Sequence, residues 1–234
     1  MGILDKKIVL ITGTGGGLGR VAAQTFAREG AKVVGCDIKA DANNETVELI
    51  RRAGGEMTGI APIDLTDPEQ ARKMVEDAVA AYGGLDVVYN NAAIQYFGPM
   101  PDFSIADWRA TITGDLDIPF FVSKFAWPHL VQRGGGVIIN VASAAGMIAH
   151  ETPPMVGHAT AKGGVIAMTR QLALERRAPW DPCGDDQSRA FPDPGRRPRP
   201  RRQPGGPRRD NKKDASQALR STRGASGARG LPRF

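Results

Sequence analysis

Cysteine is nearly missing from this chain: Cys36 and Cys183 are the only two among 234 residues, too few for a disulfide framework. Of three histidines, His129 and His150 have no partner spacing that suggests a metal and read as surface or loop residues. No apolar run is long enough to span a membrane, and the opening Met1-Gly2-Ile3-Leu4-Asp5-Lys6-Lys7 gives the expectation of a chain without a secretory signal. A cytoplasmic protein without a membrane partner is the expectation. Aromatic residues make up only 6%. Trp108, Phe120, Phe121 and Trp127 fall mostly at helical spacing and are expected in the core.

Charge balance is what the last quarter lacks. Residues 1–175 hold 15 Lys+Arg against 19 Asp+Glu, net −4, whereas residues 176–234 hold 16 against 6, net +10. The overall pI of 9.6 therefore averages two unlike pieces. The tail carries Arg196-Arg197-Pro198-Arg199-Pro200-Arg201-Arg202, scattered glycine and almost no apolar runs. Such a segment cannot bury enough surface to offset its ordering entropy, so a disordered tail is expected. Clustered arginine would suit nucleic-acid phosphates.

What is abundant is a glycine turn after an apolar run. Ile8-Val9-Leu10-Ile11-Thr12-Gly13-Thr14-Gly15-Gly16-Gly17-Leu18-Gly19-Arg20 leads from a strand into an amphipathic helix. Gly13 permits the tight turn, Gly17 lets backbone approach a pyrophosphate, and Gly19 lets the helix pack closely. Free N–H groups and the positive end of the helix dipole complete a phosphate cradle, with Thr12 and Leu18 in the same segment. A second apolar run, Lys32-Val33-Val34-Gly35-Cys36, ends at Asp37, eighteen residues beyond Gly19. An acid there can accept both ribose hydroxyls of NAD and would repel the extra phosphate of NADP.

Asp64-Leu65 follows the apolar stretch ending at Ile63, and Leu85-Asp86-Val87-Val88-Tyr89-Asn90-Asn91-Ala92-Ala93 is a buried strand running into a polar turn. Together with Thr12-Gly13-x-x-x-Gly17-x-Gly19, these segments resemble the short-chain dehydrogenase/reductase family. The resemblance implies an α/β fold with a doubly wound, Rossmann-type parallel sheet over residues 1–175. It also implies NAD as cofactor and a small-molecule alcohol or carbonyl substrate. Asp64 and Leu65 would touch the adenine, Asn90 would brace the sheet, and Asn91, Ala92 and Ala93 would line the cofactor cleft. Ala93 stands where the family usually has glycine. Tyr96 and Phe97 follow that turn and fit either a substrate pocket or plain packing.

Gly136–Gly146 looks like the family's fifth strand and the serine after it, so that Ser143 would hydrogen-bond a substrate oxygen. The segment His158–Glu175 resembles the catalytic helix, with His158 where the family has tyrosine. His158 and Lys162, four apart, share one helix face. By the resemblance, Lys162 holds the nicotinamide ribose beside the proton-transfer group, and imidazole can move protons too. Asp115 aligns with the family's helix-kinking asparagine; a carboxylate there could orient and charge His158. Ser143 and His158 lie fifteen apart, slightly further than in the family, with Pro153-Pro154 between them. The alternative is that catalysis has been lost and His158 fills space, leaving a nucleotide-binding pseudoenzyme.

The resemblance stops after Glu175, where the codons offer an explanation. Trp180 is necessarily TGG; reading one base on, with permitted codons from Arg176 through Ala190, can yield Gly-Ala-Pro-His-Gly-Ile-Arg-Ala-Val-Thr-Ile-Ser-Pro-Gly. That resembles the family's sixth strand and the Pro-Gly turn beside the nicotinamide. A one-base frameshift is thus expected, which makes nucleic acid an unlikely partner and the sheet truncated on its carboxyl-terminal side. It predicts impaired activity for this chain and assembly into a homo-oligomer only for the frame-restored protein.

Overall fold

The computed structural model describes residues 2–175; Cys183, the basic tail and the expectations attached to them lie outside the described residues. Among the described residues five strands and six α-helices follow in the order β1 (Ile8–Thr12), α1 (Gly17–Arg28), β2 (Lys32–Cys36), α2 (Ala40–Arg52), β3 (Glu56–Ile60), α3 (Pro68–Tyr82), β4 (Val87–Asn90), α4 (Ile105–Ile112), α5 (Ile118–Gln132), β5 (Val137–Asn140) and α6 (Val156–Glu175). The strands form one sheet in the order β3-β2-β1-β4-β5, and every pairing is parallel. The doubly wound Rossmann-type architecture expected from the sequence is present.

The period of two in a strand decides which side chains enter which core. From β1 and β2, Ile8, Leu10, Val34 and Cys36 face a cluster with Met74 and Val75 of α3 and Val122 of α5. Val9, Ile11 and Val33 face the opposite cluster, with Ala23 and Ala27 of α1 and Val47 and Ile50 of α2. Because both faces are covered, β1 is buried at all five positions, which is why it reads as an unbroken apolar run. Helix termini are set locally: the Asp67 carboxylate accepts the Glu69 N–H at 2.9 Å ahead of Pro68. Gly83, at φ 79°, ends that helix in the left-handed conformation.

The aromatic residues depart from expectation. Phe120 is exposed, and Trp108 and Trp127 are only half-buried. Phe121 packs on the core from its margin. The two-faced sheet fills its interior with Val, Ile, Ala and Met, leaving rings to the periphery. His150 is exposed in the connection from β5 to α6, whereas His129 sits half-buried in the last turn of α5. Among the described residues no helix is long and apolar enough to cross a membrane.

At the amino end of the strands, Asp86 joins three elements. Its carboxylate accepts the Ile8 N–H at 2.9 Å and the Arg133 guanidinium at 3.0 Å, with the Lys7 ammonium 3.8 Å away. At the other end, strand order reverses between β1 and β4. The crevice outside the carboxyl ends of such strands is where this architecture takes ligands.

Candidate active site

The glycine turn forms the floor of that crevice. Gly13 has φ 75° and Gly17 φ 50°. A Cβ on Gly17 would point into open space, whereas one on Gly19 would lie 2.0 Å from the Gly13 carbonyl oxygen. Gly19 therefore lets α1 press against the loop itself. The Gly13 and Thr14 N–H groups donate to the Cys36 carbonyl at 2.8 and 3.1 Å, fastening the loop to the end of β2. Thr12 Oγ1 accepts the N–H groups of Asn91 and Ala92, each at 3.0 Å, and Asn91 Nδ2 returns a bond to the Thr12 carbonyl at 3.0 Å. Thr12 and Asn91 thus lock the two loops at the crevice together.

The cleft above has a volume of about 540 Å³. Gly13, Gly17, Leu18, Asp37, Asp64, Leu65, Asn91, Ala92 and Ala93 all reach its wall. Thr12 and Gly19 lie behind it, as buried residues. Ile38, Ala42, Ile63 and Ile94 also line it and were not anticipated; Ile38 and Ile63 were legible in principle, as apolar neighbours of the acids at the ends of β2 and β3.

Asp37 stands over the loop rather than away from it. Its Oδ2 accepts the Gly15 N–H at 2.8 Å and its Oδ1 the Lys39 N–H at 2.9 Å. The Gly15 carbonyl in turn accepts from Arg20 at 2.9 Å, and the same guanidinium is held by Thr46 and Glu45 of α2. Gly15 is therefore held through both its N–H and its carbonyl. Asp64 is less free: its Oδ1 accepts both the N–H and the hydroxyl of Thr66, at 2.9 and 2.7 Å.

The reactive side chains meet where α4 passes into α5. A wide π-type turn, Thr113–Asp117, joins these helices and carries Asp115 inward, with no exposed surface. Single π turns of this sort often sit at functional sites. His158 Nδ1 lies 2.6 Å from Asp115 Oδ2, and Lys162 Nζ lies 3.5 Å from Oδ1. Lys162 is itself buried and donates to the Val141 carbonyl at 3.0 Å. A carboxylate only accepts, so Nδ1 carries the proton in that contact and Nε2 is left for other work. Phe97 meets the imidazole edge to face, with centroids 5.9 Å apart, a contact the sequence did not reveal.

Ser143 opens a short turn, Ala144–Gly146, and its Oγ accepts the Ala145 N–H at 3.2 Å. The turn is pressed onto α6: a Cβ on Gly146 would come 2.6 Å from the Gly163 nitrogen. Behind these groups Asn90 Nδ2 donates to Ser123 Oγ at 2.9 Å and Asn140 Oδ1 at 2.8 Å, bracing β4, β5 and α5 as anticipated. Among the described residues no group of His, Cys, Asp and Glu is arranged to hold a metal ion.

A dinucleotide fits the residues present. Open space above Gly16 and Gly17 leaves room for phosphates against the start of α1, and Asp37 and Asp64 stand at successive strand ends along the same wall. Comparison with known proteins agrees with this geometry. An uncharacterized oxidoreductase of Thermotoga maritima is 40% identical over 169 residues, covering 72% of this chain and 65% of its own length. A cyclohexanol dehydrogenase of Acinetobacter sp. is 34% identical over 172 residues, covering 73% of this chain and 67% of its own. The chain thus spans about two thirds of the length of these relatives. Among solved structures, a 7α-hydroxysteroid dehydrogenase complexed with NADH and 7-oxo glycochenodeoxycholic acid superimposes with a TM-score of 0.69 at 32% identity, covering 74% of this chain and 67% of that one. The sequence model described as short chain dehydrogenase matches residues 7–178. With glycine cradle, strand-end acids and α6 lysine all in place, this chain belongs to the short-chain dehydrogenase family.

Proposed function

We propose that the site interconverts an alcohol and a carbonyl with NAD(H), and that His158 takes the part of the family's tyrosine. The observation that carries this reading is the 2.6 Å contact between His158 Nδ1 and the fully buried Asp115. Gly13, Gly17 and Leu18 would hold the pyrophosphate, Asp37 the adenosine ribose, Asp64 and Leu65 the adenine, and Asn91, Ala92 and Ala93 the wall beside them. Lys162 would hold the nicotinamide ribose. When bound, the nicotinamide supplies or accepts hydride. Ser143 then holds the substrate oxygen, and His158 Nε2 gives that oxygen a proton in reduction or takes it in oxidation. Asp115 keeps the other ring proton on Nδ1 throughout, fixing which nitrogen faces the substrate.

The same reading includes a frameshift after Glu175. It is supported by a groove of about 180 Å³ between α5, β5 and α6, lined by Trp127, Leu130, Val137, Ile138, Leu172 and Ala173. That is where a sixth strand would lie. Resequencing the gene around codon 175 tests it directly; an unshifted frame overturns it.

The catalytic reading is tested on the frame-restored protein with a panel of secondary alcohols. His158→Ala is expected to remove most turnover while leaving NADH affinity nearly unchanged, and His158→Tyr to preserve or raise activity. Unchanged turnover in His158→Ala overturns the proposed role. A pseudoenzyme is the second reading, favoured by the absent phenol. Tight NADH binding with no turnover from any alcohol or ketone would establish it.

A further inference from the structure

Two loops flank His158, and both present apolar side chains to solvent. After β4, Tyr96, Phe97 and Met100 are exposed; after Ser143, Met147 and Ile148 are exposed, as is Val156 at the start of α6. The loops are joined: the Gly98 N–H donates to the Pro154 carbonyl at 3.1 Å, and a Cβ on Gly157 would lie 3.1 Å from the Phe103 ring. Phe97, 47% exposed, stands edge-on to the imidazole and so faces both solvent and the reacting group. Residues 91–101 and 141–149 contain no charged side chain, and the rest of the two connections adds Asp102, His150 and Glu151 but no Lys or Arg. Exposed apolar surface gathered at a reactive group marks a ligand groove.

We propose that this site selects a neutral, ring-bearing ketone or secondary alcohol, packed against Phe97, and discriminates against substrates carrying a carboxylate or phosphate on that ring. The inference rests on the oxidoreductase reading for the identity of the reacting group. Its physical basis is separate. An apolar ring trades water for Phe97, Met147 and Ile148, whereas an anionic substituent would lose hydration and meet no cation in these two loops.

The test uses the full chain with NAD+ present, so that a ketone binds without being reduced. Saturation-transfer NMR compares 1-tetralone with its 6-carboxylate. The neutral ketone is expected to bind about tenfold more tightly, the cost of placing an unpaired carboxylate on apolar surface. Phe97→Ala is expected to weaken 1-tetralone by about fivefold and Phe97→Leu to recover most of that loss, as burial of a large apolar group requires. NADH fluorescence in each variant serves as the control for folding. Equal affinity for the two ketones, or no effect of Phe97→Ala, overturns the proposal and leaves the oxidoreductase reading standing. Preference for 1-tetralone in a protein whose frame-restored form turns over no alcohol upholds the groove and overturns the chemistry.

Discussion

Asp37 accepts the Gly15 N–H at 2.8 Å, so the carboxylate that closes β2 is also a strut of the phosphate loop. The proposed ribose recognition and the loop shape would therefore share one side chain. The frame-restored protein is expected to bind NADH at least about tenfold more tightly than NADPH, about 1.4 kcal/mol. Asp37→Ser is expected to narrow that gap, because it removes the charge that repels a 2′-phosphate, and to weaken NADH as the loop loosens. Fluorescence titration with both cofactors measures each effect. Equal affinities in the unmutated protein would contradict the assignment.

The two glycines of the turn are expected to fail in different ways. In Gly19→Ala the added methyl meets the Gly13 carbonyl oxygen, a backbone atom that cannot step aside. A loss of about 1–3 kcal/mol of stability follows. Gly17→Ala pays only for its positive φ, on the order of 1 kcal/mol, since nothing lies near its methyl. That methyl nevertheless points into the cleft, so NADH affinity falls. Denaturant unfolding and NADH titration on both variants read the split, and a larger stability loss in Gly17→Ala than in Gly19→Ala would refute it.

Asp86 makes stability depend on acid. Burial pushes its carboxyl up, but the Ile8 N–H, the Arg133 guanidinium and the Lys7 ammonium outweigh this and hold it below the usual carboxylate range. A group with a depressed folded value contributes fully above its unfolded value, near 3.9, and loses that contribution as pH falls toward the folded one. Between about pH 5 and pH 3, Asp86→Asn is therefore expected to show a shallower decline in stability than the parent. Urea midpoints across that range check it; identical slopes would rule it out.

Burial pushes the Cys36 thiol up to about 12, with the Gly13 backbone hydrogen bond opposing and the Asp37 charge adding. The thiolate is the reactive form, so Cys36 should resist alkylation at pH 8 until the sheet opens. In a Cys183→Ser background, thiol titration is expected to find almost no fast-reacting group in the native protein and one in guanidinium. Rapid labelling of the native chain would show the end of β2 to be open.

Much of the fold was legible because a parallel sheet covered on both faces writes itself as apolar runs between amphipathic helices. Ile8–Thr12 and Lys32–Cys36 are such runs. The acids and glycines at strand ends were legible for the same reason: once the strands are placed, Gly13, Asp37 and Asp64 fall at one edge of the sheet. Asp115 could be paired with His158 through its alignment with a kinked helix. What could not be read was the route of irregular backbone. Phe97 reaches His158 through a loop with no periodic pattern, and Lys162 finds the Val141 carbonyl across a turn whose shape depends on Gly146 meeting Gly163. The expected aromatic core failed because spacing along a helix does not say how wide its buried stripe is, and α5 leaves Phe120 outside.

All five strands point the same way. Gly13, Asp37, Asn91 and Ser143 consequently sit in the connections that leave their carboxyl ends, while the returns into the next strand, at 53–55, 83–85 and 133–136, hold glycine turns remote from the reacting groups. The molecule has a working end and a returning end. Peptide tags, affinity handles or new chain termini placed in the returning connections would leave the cleft undisturbed, provided Asp86 keeps its partners. Changes within 95–101 and 147–152, by contrast, would alter the apolar surface beside His158 without interrupting a strand or touching Asn91 and Ser143.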